Sequence, residues 1–322
     1  MDYWKLIKRA WQITGKYKFL WIFGLFSVGG SFISGSGGGS FNNNYMDEIG
    51  GNDSTINLLD KIQELFFENI ILINIMTIVI ILISMFILFI KIISCSSIVA
   101  GVNEIEERKE SNFSKSFKLG LKYFWKILAL QLLTGLSFFI ILAILGLPVF
   151  MLFILEMPFR GFMLGLLAFV IFVPLTIVIN YTTVYAFRSI IINNNKLFQA
   201  IKYGFEVFKN NILVTLFVSL ILFAINMGVT IILMITLISL GLLFGIPIIA
   251  IVGIINLGAG LIGSILMVLF GILVVGLFMG FIGAILNTFQ STLLTLVFRE
   301  LIMRRGSKCV EIQNFESLRM GP

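Results

Sequence analysis

The sequence predicts an all-α integral membrane protein with six transmembrane helices, built as three parallel two-helix repeats with basic amphipathic helices on the cytoplasmic side. Three observations lead there. Of the 322 residues, 59% are hydrophobic and only 12% are charged; apolar runs of membrane-spanning length recur; and Lys and Arg concentrate in alternate connections. A soluble domain carries roughly 25% charged residues and lacks the interior to bury so much apolar surface. Lipid is therefore the expected solvent.

Apolar runs long enough to cross a hydrocarbon core of about 30 Å define the spans. They cover residues 17–36, 69–99, 124–155, 161–191, 211–240 and 261–298, within a single membrane domain over residues 1–305. Residues 306–322 are expected to form a cytoplasmic tail. Residues 5–34 also imitate a secretory signal, but no Ala-x-Ala cleavage site follows, so we expect a retained first span.

The longest apolar stretch, Asn211–Phe298, is ambiguous. It has room for two long spans or for four tight ones. An odd number would move the basic cluster after Phe298 to the outer side of the membrane. We favour two spans, with Phe244–Leu257 as a re-entrant or interfacial segment around Pro247.

Charge orients the chain, because cytoplasmic connections carry an excess of Lys and Arg. The predicted outer connections hold only Lys61 and Arg160, whereas the other basic residues flank the inner ends of the predicted spans or, for Lys91, lie within one. Both termini are therefore expected in the cytoplasm, and the expected location is the plasma membrane of a prokaryote. The net charge of +7 then reflects topology and anionic lipid, and no nucleic-acid partner is expected.

A weak internal repeat supports six spans. Ile7–Ala10, Phe117–Gly120 and Ile201–Gly204 share an apolar–Lys–x–small pattern, each opening a basic amphipathic stretch before an outward span. Three inward spans share a hydroxyl–hydroxyl–apolar–apolar–small pattern, at residues 96–100, 182–186 and 291–295. Each unit crosses the membrane twice, so the repeats are parallel and differ from the inverted repeats of many secondary transporters.

Three segments carry a family resemblance: DYWKLIKRAWQITGKYKFLWIFG (residues 2–24), SSIVAGVNEIEERKESNFSKSFKLGLKYFWKIL (residues 96–128) and STLLTLVFREL (residues 291–301). They resemble the membrane-domain family attached to some glycerophosphoryl diester phosphodiesterases. The resemblance implies six helices, no catalytic residues in the membrane domain, and kinship with stand-alone multi-span proteins of no assigned activity. The segment after Arg305 is too short for the soluble phosphodiesterase barrel.

Polar residues inside the predicted spans are the candidate functional groups. An ionisable residue in a membrane helix suggests a site, although Lys91 could also extend its ammonium to the inner headgroups. Buried amides usually bond across helices, and a polar substrate path is the alternative. The candidate intramembrane site comprises Lys91, Asn180, Asn287, Gln290 and Ser291.

Catalytic and metal chemistry are not expected. The sequence contains no His, and no nucleophile or phosphate-binding motif is present. The acidic run Glu104–Glu110 could bind Mg²⁺, but a solvated helix end paired with Arg108 and Lys109 explains it better. We expect no catalytic residue, cofactor or metal.

The functional expectation is a non-enzymatic protein that interacts with lipid or scaffolds a partner, and the alternative is a transporter or permease subunit for a lipid or small solute. An intramembrane enzyme is the weakest hypothesis. Expected partners are membrane lipids with anionic headgroups at the inner leaflet, and a protein partner or second copy. The predicted lipid contacts are Lys8, Arg9, Lys118, Lys122 and Lys202.

Overall fold

A computed structural model describes residues 2–33, 70–107, 109, 111–254 and 259–319, and over these residues the chain forms eight α-helices and no strand. In chain order they are α1 (Tyr3–Lys16), α2 (Phe19–Ile33), α3 (Ile70–Glu106), α4 (Phe113–Ile154), α5 (Pro158–Ile192), α6 (Leu197–Asn210), α7 (Ile212–Ile254) and α8 (Ala259–Arg319). The predicted all-α class is confirmed for this part of the chain. Residues 34–69, which include the predicted connection between the first two spans, lie outside the described residues.

Five helical segments of the described chain are long and apolar enough to cross a membrane: Asn74–Glu106, Phe113–Ile154, Pro158–Ile192, Ile212–Ser239 and Leu273–Arg304. The predicted first span, residues 17–36, corresponds to α2, which the structure describes as far as Ile33. Tyr17 caps α1 instead of beginning a span, and the apolar helical segment Phe19–Val28 is too short to count among the five. Length and composition therefore support a multi-pass helical membrane protein, with five candidate spans among the described residues.

The short helices α1 and α6 are amphipathic, as the sequence predicts. In α1 the side chain of Asp2 caps the helix by accepting a hydrogen bond of 3.2 Å from the Lys5 backbone N–H. Apolar positions at helical spacing form the buried face of each helix. Ala10 and Ile13 are buried in α1 and Gly204 and Val207 in α6.

The predicted separation of an interfacial helix from the third span, 124–155, is wrong. Both belong to the single helix α4, which begins at Phe113. The C-caps of α1 and α6 are Tyr17 and Asn211, which lie equally far beyond Lys8 and Lys202 in the repeat. The Asn211 side chain donates to the Val207 carbonyl at 3.0 Å, a local bond that competes with the helical backbone. The equivalent residue in α4 is the fully buried Ile127, which offers no such competing bond.

The long apolar stretch contains two helices. The expected break at residue 240 does not occur, because α7 continues through Pro247 to Ile254, and only residues 255–257 of the expected re-entrant segment lie outside the described chain. A proline is tolerated inside membrane helices where other groups satisfy the freed carbonyl. Helix α8 likewise runs past residue 305 to Arg319, so no helix end marks the expected start of the tail.

Tight packing is confined to one end of the bundle, which we call the base. The base contains α1, α6 and the buried segments 92–105, 116–130, 185–191 and 284–301. By contrast, no described side chain of α3 before Ile92 is buried, and most are exposed on every face of the helix. The apolar sides of the long helices are therefore open to lipid beyond the base.

Small residues permit the closest helix approaches at the base. A Cβ added to Gly204 of α6 would lie 2.6 Å from the Thr182 carbonyl oxygen and 2.8 Å from the Ala186 nitrogen in α5. A Cβ on Gly120 of α4 would lie 2.8 Å from the Ile93 carbonyl oxygen in α3. The small residues of the second and third repeat motifs therefore place each basic helix directly against the preceding inward helix.

Candidate functional site

The predicted intramembrane residues lie on three helices. Asn287, Gln290 and Ser291 are half-buried and share one face of α8, whereas Asn180 is exposed on α5. Gln290 Nε2 donates a hydrogen bond of 2.6 Å to Oδ1 of Asn226 in α7. Within the described residues no hydrogen bond joins Lys91 or Asn180 to the α8 residues. The structure therefore brings together three of the five predicted residues, and adds Asn226 as their partner across helices.

Lys91 lies near a different polar group, at the interface of α2 and α3. Lys91 is half-buried and lies one helical turn before Cys95. The Cys95 thiol and the Ser27 hydroxyl are hydrogen-bonded at 2.8 Å. Two cations, Lys91 and Arg188, lie close enough to Cys95 to act on it electrostatically.

Arg188 is a functional candidate that sequence reasoning missed. It was interpreted as one more cation at the inner end of a span, yet its side chain is only 5% exposed. Its Nη1 donates to the Val184 carbonyl at 2.8 Å, and its buried Nε has no hydrogen-bond partner in the described chain. The signal in the sequence was its spacing from Val184 and Tyr185, which places it on a buried face of α5.

No described carboxylate compensates the charge of Arg188. The groups near enough to act on it electrostatically are Tyr185 and Cys95, both ordinarily neutral. The Tyr185 hydroxyl is hydrogen-bonded to Thr215 Oγ1 of α7 at 2.8 Å. A guanidinium cannot escape its desolvation cost by losing its proton at neutral pH, so Arg188 holds a buried positive charge.

A lateral cavity of about 240 Å³ lies between α4, α5 and α6. Its wall is mainly apolar and includes Leu133, Ile179 and Phe205. Four hydroxyl residues also line it: Thr134, Ser137, Thr182 and Thr183. The Thr134 and Thr183 hydroxyls are bonded to each other at 3.1 Å, whereas the buried Thr182 hydroxyl has no partner in the described chain. The cavity suits an apolar chain better than a hydrated solute.

The predicted lipid contacts lie on the base. Lys8, Lys118, Lys122 and Lys202 are exposed. Arg9 is also exposed, and it forms an ion pair of 2.9 Å with Glu106, which links α1 to the end of α3. All five predicted contacts are therefore open at the surface of the base, and Arg9 also contributes to helix packing.

The described acidic residues at the end of α3 are paired with basic side chains. Glu104 lies 3.1 Å from the Lys115 ammonium, and Arg299 Nη1 donates to the Asn103 side chain at 2.6 Å. The Lys109 ammonium, hydrogen-bonded to Glu107, holds the pKa of that carboxyl below its ordinary value of 4.5. Each described acid of this run has a cationic partner, and the described residues contain no group of three potential metal ligands.

No protein-family model matches the chain, and no curated protein or solved structure matches it either. The resemblance to the membrane domain of glycerophosphoryl diester phosphodiesterases gains no support from these comparisons and stays a prediction. The fold defines the class of protein at a coarser level, as a multi-pass α-helical membrane protein.

Proposed function

We propose that this protein is a non-enzymatic component of a prokaryotic plasma membrane that binds anionic lipid at the inner leaflet. Exposed aromatic side chains beside exposed lysines on the base carry the proposal. Trp4 of α1 and Trp125 of α4 are 74% and 73% exposed, and Phe198 of α6 is 76% exposed. Tryptophan and lysine favour the membrane interface, and basic amphipathic helices lie in it.

Six spans with both termini in the cytoplasm complete the proposal. Helix α2 is the sixth span, and α3, α5 and α8 are the inward members of three repeats. The closeness of Gly120 to α3 and of Gly204 to α5 supports the repeats, as does the packing of α1, with its fully buried Ala10, against α8. In the second and third units the basic helix packs on the inward helix of the preceding unit. In the first unit the basic helix α1 packs on α8, the inward helix of the last unit.

Lipid retention in native mass spectrometry tests the proposal. The wild-type protein should retain phosphatidylglycerol in preference to phosphatidylcholine. A variant with Lys118→Gln, Lys122→Gln and Lys202→Gln should lose most of that preference, because each cation near an anionic surface contributes about 1 kcal/mol. Arg160→Gln, at the opposite end of α5, is the matched control and should change nothing. Equal retention of both lipids by the wild-type protein would contradict the proposal.

A transporter or permease subunit is the second candidate function, and the Asn226–Gln290 bond favours it. Paired amides among apolar helices can mark a polar path. A flux assay in proteoliposomes, comparing wild type with Asn226→Leu, distinguishes the two functions. Flux that falls in the variant supports transport, whereas the lipid-binding proposal expects no solute flux in either protein.

A protein partner or second copy remains part of the proposal. Helix α7 packs mainly against α8 and leaves most of its apolar side chains exposed. The same mass spectra report the oligomeric state, because a stable dimer would appear at twice the mass of the chain.

A further inference from the structure

The charge balance around Cys95 is unusual for the interior of a membrane protein. Arg188 is 5% exposed, and the half-buried Lys91 lies one helical turn before the Cys95 thiol. In the described chain neither has a carboxylate partner, and the other groups of the cluster, Ser27 and Cys95, are bonded to each other. Buried charges in proteins are normally paired, so two cations without an anion indicate that a ligand supplies one.

The guanidinium of Arg188 has N–H donors without hydrogen-bond partners in the described chain. Arginine carries five N–H donors in a planar fork that fits two oxygens of a phosphate at once. Only one bond, to the Val184 carbonyl, occupies it in the described structure, and Nε is buried without a partner. A tetrahedral oxyanion could satisfy Nε and a neighbouring nitrogen together.

The depth of Arg188 matches the phosphate of an inner-leaflet lipid. It lies four residues before the end of α5 at Ile192, or about 6 Å along the helix. Beyond the base, the apolar faces of α3, α4 and α5 are open. A phospholipid with its phosphate at Arg188 could direct its acyl chains along these faces, in the orientation of the inner leaflet.

We propose that Arg188, assisted by Lys91, binds the phosphate of an anionic phosphoester beside Cys95, where α3 packs against α5. This inference deepens the proposed lipid binding, but it concerns an interior site separate from the exposed lysines of the base. The phosphate can come from a lipid headgroup or from a soluble phosphate ester, and the chemistry at Arg188 is the same for both.

Thermal stability of the delipidated protein in a neutral detergent tests the site. Phosphatidic acid, phosphatidylcholine, glycerol 3-phosphate and inorganic phosphate are added separately. Phosphatidic acid should raise the melting temperature of the wild-type protein and phosphatidylcholine should not. A rise with phosphatidic acid alone assigns the site to lipid, and a rise with the soluble phosphates as well assigns it to a free anion. No rise with any phosphate overturns the inference.

Variants separate a ligand site from a structural role. Arg188→Leu should bind phosphatidic acid about tenfold more weakly, since it loses charge-assisted hydrogen bonds. Without ligand it should melt no lower than wild type, because it removes an uncompensated buried charge. Arg188→Lys keeps the charge but loses the planar fork, so it should bind with intermediate affinity.

Lys91→Gln covers the case in which Arg188→Leu fails to fold. It should also weaken phosphatidic acid binding, whereas Arg160→Gln should bind like wild type. Unchanged binding in Lys91→Gln and Arg188→Lys overturns the inference. The variant with Lys118, Lys122 and Lys202 replaced by Gln keeps the interior site at Arg188. Loss of lipid binding at the exposed lysines of the base can therefore be distinguished from loss of binding at Arg188.

Discussion

Gln290 of α8 and Asn226 of α7 are joined by a side-chain hydrogen bond of 2.6 Å between Nε2 and Oδ1. This bond is a polar contact between the two long helices, and the described part of α7 otherwise packs mainly through apolar side chains. Interhelical hydrogen bonds in membranes contribute modestly, on average about 0.6 kcal/mol. The bond therefore orients α7 on α8 more than it stabilises the fold.

A double-mutant cycle measures that bond. Asn226→Leu and Gln290→Leu should each destabilise the protein, and the double variant should be less destabilised than their sum, by roughly 0.5–1.7 kcal/mol. Unfolding by denaturing detergent, followed by circular dichroism, gives the free energies. Ser239→Ala is a control, because that hydroxyl bonds only to the Thr236 carbonyl of its own helix. Additive effects of the two leucines would show that the amides do not interact.

Close helix approach at the base predicts a steric penalty. Gly204→Ala should destabilise the protein by about 1–3 kcal/mol, because its methyl group would meet the backbone of α5. Gly228→Ala in α7 has open space around the added methyl and should be neutral or slightly stabilising. Thermal denaturation of the two variants compares them directly. Equal melting temperatures would mean that α6 is not held against α5 as described.

The pKa of Glu107 predicts a small acid sensitivity. Its carboxylate is stabilised by Lys109, so its pKa in the folded protein lies below the ordinary value of 4.5. The ion pair is intact above pH 4.5, and its contribution is lost as the pH falls through the lowered pKa. As the pH is lowered from 7 to 3, the free energy of unfolding should therefore decrease slightly less in Glu107→Gln than in the wild-type protein. Identical pH profiles would contradict the pairing.

Helices that are determined by apolar composition alone were predictable from the sequence. Hydropathy predicted a span at residues 161–191, and α5 covers Pro158–Ile192. The repeat motif also selected three positions that are buried at the base, Ala10, Gly120 and Gly204. In these cases one physical requirement, either apolar length or a small side chain, decides the outcome.

Features that depend on tertiary contacts were not predictable from the sequence. Ile127 continues α4 where Asn211 ends α6, and a hydropathy window does not detect that difference. Arg188 resembles every other cation at an inner helix end, because its burial depends on how α5 packs against its neighbouring helices. The turn at Tyr17 and Lys18 places the start of α2 at Phe19, which an apolar average over residues 17–36 conceals.

The number of spans is the central claim, and one comparison of two residues tests it. If α2 crosses the membrane, positions 2 and 109 lie on the same side; if it does not, they lie on opposite sides. Single cysteines placed by Asp2→Cys and Lys109→Cys, in a background with Cys95→Ser and Cys309→Ser, are labelled with an impermeant maleimide in intact cells and in inverted vesicles. The account predicts that both positions react only in inverted vesicles. Reaction of position 2 in intact cells, with position 109 protected, would contradict six spans and leave five.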